Sequence, residues 1–230
     1  MRPAKALILV GSPRGSRSVS LALARRLARG LEAASWQVEF MDLYRLARTG
    51  QGTATLLSAV EKSELLVLAF PLYVDQLPAL VVRALESIAE NGRGKVASPK
   101  PGLTAIVQCG FPETLQTRPA LDICRRFAEL SGFEWRGGLG LGMGGAVAGR
   151  MPDRPKGMLR NVVLALDQAA AALARGEEIP PAAVELAARK FMPLRLYFLA
   201  ANWGWRMQAR KLSRELGKKI DLCAKPDAES

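Results

Sequence analysis

Near its N-terminus the chain reads Lys5-Ala-Leu-Ile-Leu-Val-Gly-Ser-Pro-Arg-Gly-Ser-Arg-Ser-Val-Ser20. The apolar run predicts a strand over residues 5–10, and the glycine, serine and arginine residues after it predict a loop. Val19, Leu23, Leu27 and Leu31 then recur every four residues, which predicts a helix with one apolar face. A strand, a loop and a helix in this order form the kind of junction at which parallel α/β sheets bind small ligands.

The loop between this strand and helix carries the groups that bind a phosphate. It offers backbone N–H groups, serine hydroxyls and the guanidinium groups of Arg14 and Arg17 beside the N-terminus of a helix. It is not a Walker A motif, because Ser16 and Arg17 stand where that motif has Lys followed by Ser or Thr. The alternative is a turn without a ligand. We favour a phosphate monoester, because a plain turn does not need these arginine and serine residues.

Apolar strands alternate with amphipathic helices as far as residue 145. Further strands are predicted over residues 36–41, 65–70, 103–108 and 134–141, and further helices over 53–63, after 78, over 118–130 and over 157–175. Right-handed crossovers leave few arrangements, so we predict an α/β fold with a flavodoxin-like, doubly wound, five-stranded parallel sheet. We assign this domain to residues 1–176 and a C-terminal helical extension to residues 177–230.

The composition excludes several kinds of chemistry. The sequence contains no histidine, and Cys109, Cys124 and Cys223 lack metal-ligand spacing. These features exclude imidazole metal sites and Ser–His nucleophilic pairs, so we predict no metal site. No run of eighteen apolar residues and no secretory-signal pattern occurs, so we expect a cytoplasmic protein. The net charge of +12 is spread along the chain. This distribution favours attraction to anionic cofactors or surfaces, and we expect no specific nucleic-acid partner.

Two further features each have two interpretations. Gly140, Gly142 and Gly145 form a G-x-G-x-x-G pattern, but it follows the fifth predicted strand and leads into a proline-containing loop. It is therefore not a dinucleotide fingerprint. These glycines either let backbone approach a flat ligand or allow close packing at the sheet edge. Cys109 ends the fourth predicted strand as either a redox-active thiol or a small buried residue, and we favour burial.

Two motifs over residues 4–145 resemble the NAD(P)H-dependent FMN reductase group of the flavodoxin-like superfamily. They are Gly11-Ser-Pro-Arg-x-x-Arg-Ser and Phe70-Pro-Leu-Tyr-Val-Asp-Gln-Leu-Pro-Ala79, each at the end of a predicted strand. The second is the more specific, because Pro-x-Tyr followed by Leu-Pro-Ala and a helix is unusual by chance. The chain departs from the family at Val74, where Asn is common. Residues 42–64 contain no cysteine, which excludes the cluster of related iron–sulfur flavoproteins.

The resemblance implies a cofactor site built from three loops. The first loop would hold the FMN phosphate, at Ser12, Arg14, Ser16, Ser18 and Val19. The second would lie along the flavin ring and ribityl chain, at Pro71, Leu72, Tyr73 and Val74. The loop after the fourth strand would border the isoalloxazine, at Gly110, Phe111 and Glu113. Tyr73 and Phe111 would either stack near the ring or belong to the core. We predict no catalytic residue, because flavin N5 carries out hydride transfer itself.

The same resemblance implies a function and an assembly. It implies an FMN-dependent oxidoreductase that takes electrons from NADPH or NADH and passes them to a small acceptor such as a quinone, a flavin or a nitroaromatic. It also implies a homodimer, because family members commonly build the substrate side of the flavin site across a subunit interface. The alternative is a non-catalytic flavodoxin-like electron carrier or binding module that docks through its basic surface.

The C-terminal extension combines an apolar run over residues 191–205 with a series of basic residues. Arg206, Arg210, Arg214 and Lys218 follow at intervals of four. Residues 191–220 therefore form an interfacial membrane helix, a dimerising arm or a packed helical appendage. We favour the appendage or the arm over membrane contact, because solvated charged faces are common.

Overall fold

The structure is a computed structural model, and it describes residues 3–49, 52–91, 100–147 and 151–223. By its internal contacts the chain divides into two compact units, Met1–Phe191 and Met192–Ser230. The first unit is an α/β domain that contains the three predicted loops. The second contains one long helix.

A five-stranded parallel sheet forms the centre of the first unit. Its strands are β1 (Lys5–Val10), β2 (Gln37–Asp42), β3 (Leu65–Pro71), β4 (Gly102–Gln108) and β5 (Glu134–Leu141). They lie in the order β2-β1-β3-β4-β5, and every neighbouring pair is parallel. This order confirms the predicted flavodoxin-like sheet. The apolar strands β1, β3 and β4 are buried because helices cover both faces.

Helices pack on the two faces of this sheet. They are α1 (Val19–Ala33), α2 (Leu43–Leu46), α3 (Gly52–Glu61), α4 (Ala79–Glu90), α5 (Arg118–Ser131), α6 (Gly144–Val147), α7 (Arg160–Ala174) and α8 (Pro181–Ala188). Successive side chains of a strand point to opposite faces, so β3 contributes Val67 and Ala69 to one core and Leu66 and Leu68 to the other. The first core contains α1, α7 and α8, and the second contains α3, α4 and α5.

A charged pair joins α1 to α7. Arg26 donates from Nε to Asp167 Oδ1 at 2.7 Å and from Nη2 to Oδ2 at 2.6 Å. Its Nη1 donates to the carbonyl oxygen of Asp153 at 2.6 Å. The Arg26 side chain is 12% exposed, so this two-pronged contact is shielded from water more than a surface ion pair is.

The last short helix, α8, packs against α7 and β5. The Ile179 N–H donates to the carbonyl oxygen of Arg136 at 2.8 Å, and the side chains of Ile179, Ala183 and Ala187 are buried in the first core. The structure therefore divides the chain after residue 191, whereas the sequence analysis placed the boundary after residue 176. The small alanine side chains account for the difference, because they let α8 approach the sheet closely.

The second unit contains α9 (Leu194–Cys223). Its side chains are described through residue 213, apart from residue 211, so Arg214 and Lys218 of the predicted basic series lie outside the described side chains. Within the described part of the chain, no helix has the length and apolar character that crossing a membrane requires.

Candidate functional site

The carboxyl ends of β1, β3 and β4 lie side by side at one edge of the sheet. The Gly11 N–H donates to Ala69 O at 2.9 Å, and the Leu72 N–H donates to Gln108 O at 2.9 Å. The loops over residues 11–18, 72–78 and 109–113 therefore begin next to one another. The structure thus brings the three groups of predicted site residues to one end of the domain.

The first loop presents unpaired backbone donors at the N-terminus of α1. Ser18 is the N-cap of α1, and its buried Oγ accepts a hydrogen bond from the Leu21 N–H at 3.0 Å. Among the described residues, the N–H groups of Ser16, Val19 and Ser20 find no acceptor. Unpaired N–H groups in the first turn carry the positive end of the helix dipole. They form an anion-binding position.

The side chains of this loop differ in what they offer a ligand. Arg14 and Arg17 are exposed, and neither forms a salt bridge with a described residue. Ser16 is exposed and Ser12 is buried. The Val19 side chain is buried in the core, so only its backbone N–H is available to a ligand. The loop therefore combines two free cations with neutral donors.

Ser20 is a residue that the sequence analysis missed. It lies in the first turn of α1, and its buried hydroxyl has no hydrogen-bond partner among the described residues. Buried hydroxyls are normally paired, so the Ser20 hydroxyl is an exception, although its oxygen is too deeply buried for a ligand to contact it. Its place two residues after the N-cap is the signal that could have identified it.

Gly11 sets how closely α4 approaches the first loop. A Cβ on Gly11 would lie 2.2 Å from Val81 Cγ2 and 3.2 Å from Phe70 Cβ. Real Cβ atoms do not approach that closely, so this position requires glycine for packing. The close contact holds the start of α4 beside the first loop.

A tight turn forms the second loop. Tyr73 and Gln76 exchange backbone hydrogen bonds of 3.0 Å, and Val74 and Asp75 between them have φ values of 50° and 58°. Positive φ at both central residues is typical of a type I′ turn, which favours Asn and Gly. Val74 is instead β-branched and 96% exposed, so its strained backbone gains no burial in return. Strain of this kind is concentrated at functional sites.

Tyr73 belongs to the second loop and lies close enough to the first loop for Arg14 to influence its phenol. Partial burial raises the pKa of its phenol, Tyr44 raises it further, and the charge of Arg14 lowers it. The phenol therefore stays protonated at neutral pH and can donate a hydrogen bond. Its side chain is 43% exposed, whereas Leu72 is half-buried and Pro71 is fully buried at the end of β3.

The third loop presents an open position and an exposed ring. Among the described residues other than its two chain neighbours, no heavy atom lies within 4 Å of the place that a Cβ on Gly110 would occupy, and Phe111 is 57% exposed. Phe111 and Tyr73 are therefore not part of the core. Glu113 Oε1 lies 3.8 Å from Lys190 Nζ, so this carboxylate faces the end of the first unit.

Cys109 is a buried thiol that holds the third loop. Its Sγ lies 3.6 Å from Phe111 O and 3.8 Å from Glu113 O, which places both carbonyls within reach of a weak S–H donor. Burial raises the pKa of the Cys109 thiol, a hydrogen bond with the Phe111 backbone lowers it, and the charges of Asp75 and Glu113 raise it. The thiol is therefore mainly protonated, which supports the structural interpretation.

The glycines after β5 serve packing. A Cβ on Gly142 would lie 2.7 Å from Pro112 O, and the Met143 N–H donates to Phe111 O at 2.7 Å. A Cβ on Gly144 would also collide with its neighbours. The loop after β5 thus lies directly against the third loop, which accounts for the glycine at position 142 by packing, and the flat-ligand interpretation of the pattern stays a prediction.

Comparisons with known proteins agree with this architecture. A family model described as a flavodoxin-like fold matches residues 4–106. An FMN-dependent NADH-azoreductase from Bacillus anthracis str. Ames Ancestor, in complex with FMN, has 15% identity and a TM-score of 0.55, covering 74% of this chain and 99% of that one. The NAD(P)H:quinone oxidoreductase from Methanothermobacter marburgensis has 16% identity and a TM-score of 0.52, covering 75% and 96%. An azoreductase from Bacillus anthracis str. Sterne has 14% identity and a TM-score of 0.51, covering 75% and 99%.

At these identities the solved structures show the fold alone. A comparison with curated protein sequences gives no significant match. The matched residues 4–106 include β1, β3 and most of β4 with the first two loops, and the strand order is that of the flavodoxin-like fold. The chain therefore has the flavodoxin-like fold, and its residues 4–106 are similar to the flavodoxin-like family.

Proposed function

We propose that this protein is an FMN-dependent oxidoreductase that takes electrons from NADPH or NADH and passes them to a small acceptor, such as a quinone, a flavin or a nitroaromatic. The N-terminus of α1 carries the proposal. There the unpaired N–H groups of Ser16, Val19 and Ser20 lie in one short segment with the free cations of Arg14 and Arg17. A phosphate dianion is the ligand that this set of donors suits best.

The donor set of the first loop fits the phosphate of FMN. The residues that would hold it are Ser12, Arg14, Ser16, Ser18 and Val19, the last through its backbone. A charge-assisted hydrogen bond of this kind contributes about 1.5–3 kcal/mol. Several such contacts would retain the cofactor through purification.

The other two loops would position the flavin ring. Pro71, Leu72, Tyr73 and Val74 would lie along the ring and ribityl chain, and Gly110 and Phe111 would border the isoalloxazine, with Glu113 at the outer margin of that loop. Bound FMN supplies the hydride chemistry, so the chain needs no acid or base of its own. The exposed rings of Tyr73 and Phe111 would exclude water from one side, and the open space beside Gly110 would admit a ligand.

We also propose a homodimer that covers this edge of the domain. Val74, Phe111 and Leu115 expose large apolar side chains close to the proposed ring position. A subunit interface would shield these side chains and close the substrate side of the site. Sedimentation of the native protein tests this, and Phe111→Glu is expected to shift it toward the monomer.

The absorption spectrum of freshly purified, desalted protein tests the proposed function. We expect flavin bands, release of about one FMN per chain on denaturation and steady oxidation of NADH or NADPH with a quinone acceptor. Arg14→Gln is expected to weaken FMN binding about tenfold or more, whereas Arg48→Gln, an exposed arginine outside the loops, is the control. Protein that is purified colourless and does not bind added FMN would contradict the proposal. Bound FMN without nucleotide oxidation would favour the electron-carrier alternative.

A further inference from the structure

The helix α9 exposes a row of large apolar side chains. Leu196, Leu199, Trp203 and Met207 are between 48% and 69% exposed, and we call this row the tryptophan face. Their spacing of three and four residues places them along one side of the helix. Contiguous apolar surface of this kind is typical of a binding surface rather than of a solvated one.

The charge around the tryptophan face has one sign. No acidic residue lies between Glu185 and Glu215, whereas that interval contains Arg189, Lys190, Arg195, Arg206, Arg210, Lys211 and Arg214. Arg210 continues the tryptophan face three residues after Met207, and Arg206 borders it. Both are exposed and form no salt bridge with a described residue. The partner of this surface must therefore be both apolar and anionic.

Charge and apolar character together distinguish the kinds of partner. A symmetric contact between the tryptophan faces of two copies would bring Arg206 and Arg210 of both copies together, and residues 186–214 supply no acidic residue to pair them. A nucleic acid supplies phosphates but no apolar phase for Trp203 and Leu199. The surface of a lipid bilayer supplies an anionic headgroup layer directly above an apolar one.

The sequence alone favours an appendage or a dimerising arm, but the exposed apolar row changes that preference. We propose that α9 docks on the surface of an anionic lipid bilayer, with the tryptophan face at the boundary between headgroups and acyl chains. Tryptophan, leucine and arginine together on one helix are the composition of interfacial helices. The apolar part of α9, residues 194–207, would span about 20 Å in the membrane plane. This proposal goes beyond the proposed oxidoreductase function and requires no bound flavin.

Co-sedimentation with lipid vesicles tests the electrostatic contribution to bilayer binding. We expect the full chain to bind phosphatidylcholine vesicles containing phosphatidylglycerol at least tenfold more tightly than vesicles of phosphatidylcholine alone, and less tightly as salt rises. The double variant Arg206→Gln, Arg210→Gln is expected to lose about thirtyfold in partitioning. A matched control, Arg48→Gln with Arg83→Gln, removes two exposed arginines of the first unit and is expected to change partitioning by less than about threefold.

Two substitutions at neighbouring positions test the contribution of apolar burial to bilayer binding. Trp203→Glu and Asn202→Glu add the same charge at adjacent exposed positions of α9. Asn202→Glu is expected to weaken vesicle binding about fivefold. Trp203→Glu is expected to weaken it on the order of fiftyfold further, because about 100 Å² of indole surface no longer leaves water. Thermal unfolding of each variant checks that the fold is intact.

Four results would overturn the proposal. One is equal binding to neutral and anionic vesicles, and another is an equal loss for the two glutamate variants. The third is self-association without lipid that Trp203→Glu abolishes, which would assign α9 to a subunit interface. Binding to duplex DNA without binding to vesicles would likewise replace the bilayer with a nucleic acid. None of these readouts depends on flavin, so failure here and failure of the oxidoreductase proposal are distinguishable.

Discussion

Replacing Ser18 by alanine is expected to lower both the stability of the fold and the affinity for FMN, and the two effects can be measured separately. Ser18→Ala removes the buried Oγ that accepts from the Leu21 N–H at 3.0 Å. Loss of an N-cap costs about 1 kcal/mol, which lowers the melting temperature of a domain of this size by about 2–4 °C. The same hydroxyl would donate its proton to the FMN phosphate. Losing that charge-assisted bond weakens FMN binding by about 10- to 150-fold.

Thermal unfolding of flavin-free protein and a fluorescence titration with FMN measure the two effects. Asp42→Ala is the matched control, because Asp42 caps α2 by accepting from the Tyr44 N–H at 2.9 Å and the Arg45 N–H at 3.1 Å. It is expected to lower stability by a similar amount and to change FMN affinity by less than about threefold. Equal losses of FMN affinity in the two variants would refute a contact between Ser18 and the phosphate. An unchanged melting temperature for Ser18→Ala would refute its capping role.

Three further predictions concern backbone strain, packing and thiol chemistry. Val74→Asn is expected to raise the melting temperature by about 2–4 °C, because asparagine adopts positive φ at lower cost, and a lower melting temperature would contradict the strain. Gly11→Ala is expected to lower the free energy of unfolding in urea by about 1–3 kcal/mol through its collision with Val81. Val81→Ala in the same chain is expected to restore part of that loss, and no restoration would reject the collision. In a variant in which Cys223 is replaced by serine, Cys109 and Cys124 are expected to resist modification by a thiol reagent at pH 8. Burial raises both pKa values, that of Cys124 to about 12, so the reactive thiolate forms only as the pH rises toward those values. Rapid labelling at pH 8 would contradict their burial.

Much of the fold could be predicted because its signals are local. The apolar run at residues 65–70 predicts a strand buried on both faces, and β3 is buried throughout. The recurrence of apolar residues at every fourth position from Val19 to Leu31 predicts the buried face of α1, and all four of these residues are buried. Chirality and sheet rules then leave few orders for five strands. The hydrogen-bond donors of the first loop could be predicted for the same reason, since they lie close together in the sequence.

The rest of the candidate site depends on contacts between distant residues. The unpaired hydroxyl of Ser20 is visible only once the core around α1 is assembled, because pairing is a property of the neighbours. The positive φ of Val74 follows from how β3 must turn, which its β-branched side chain does not indicate. The requirement for glycine at position 11 comes from Val81, seventy residues later in the chain.

Periodicity and loop composition are therefore enough to specify the strands, the helices, their flavodoxin-like order and the donor groups of the first loop. Tertiary structure alone decides that Arg26 pairs with Asp167, that α8 completes the first core, and that Tyr73 and Phe111 remain exposed. The physical reason is the range of the interactions. Hydrogen bonds and apolar spacing within an element act over a few residues, whereas burial, charge pairing and close packing are set by residues that meet only after the sheet has formed.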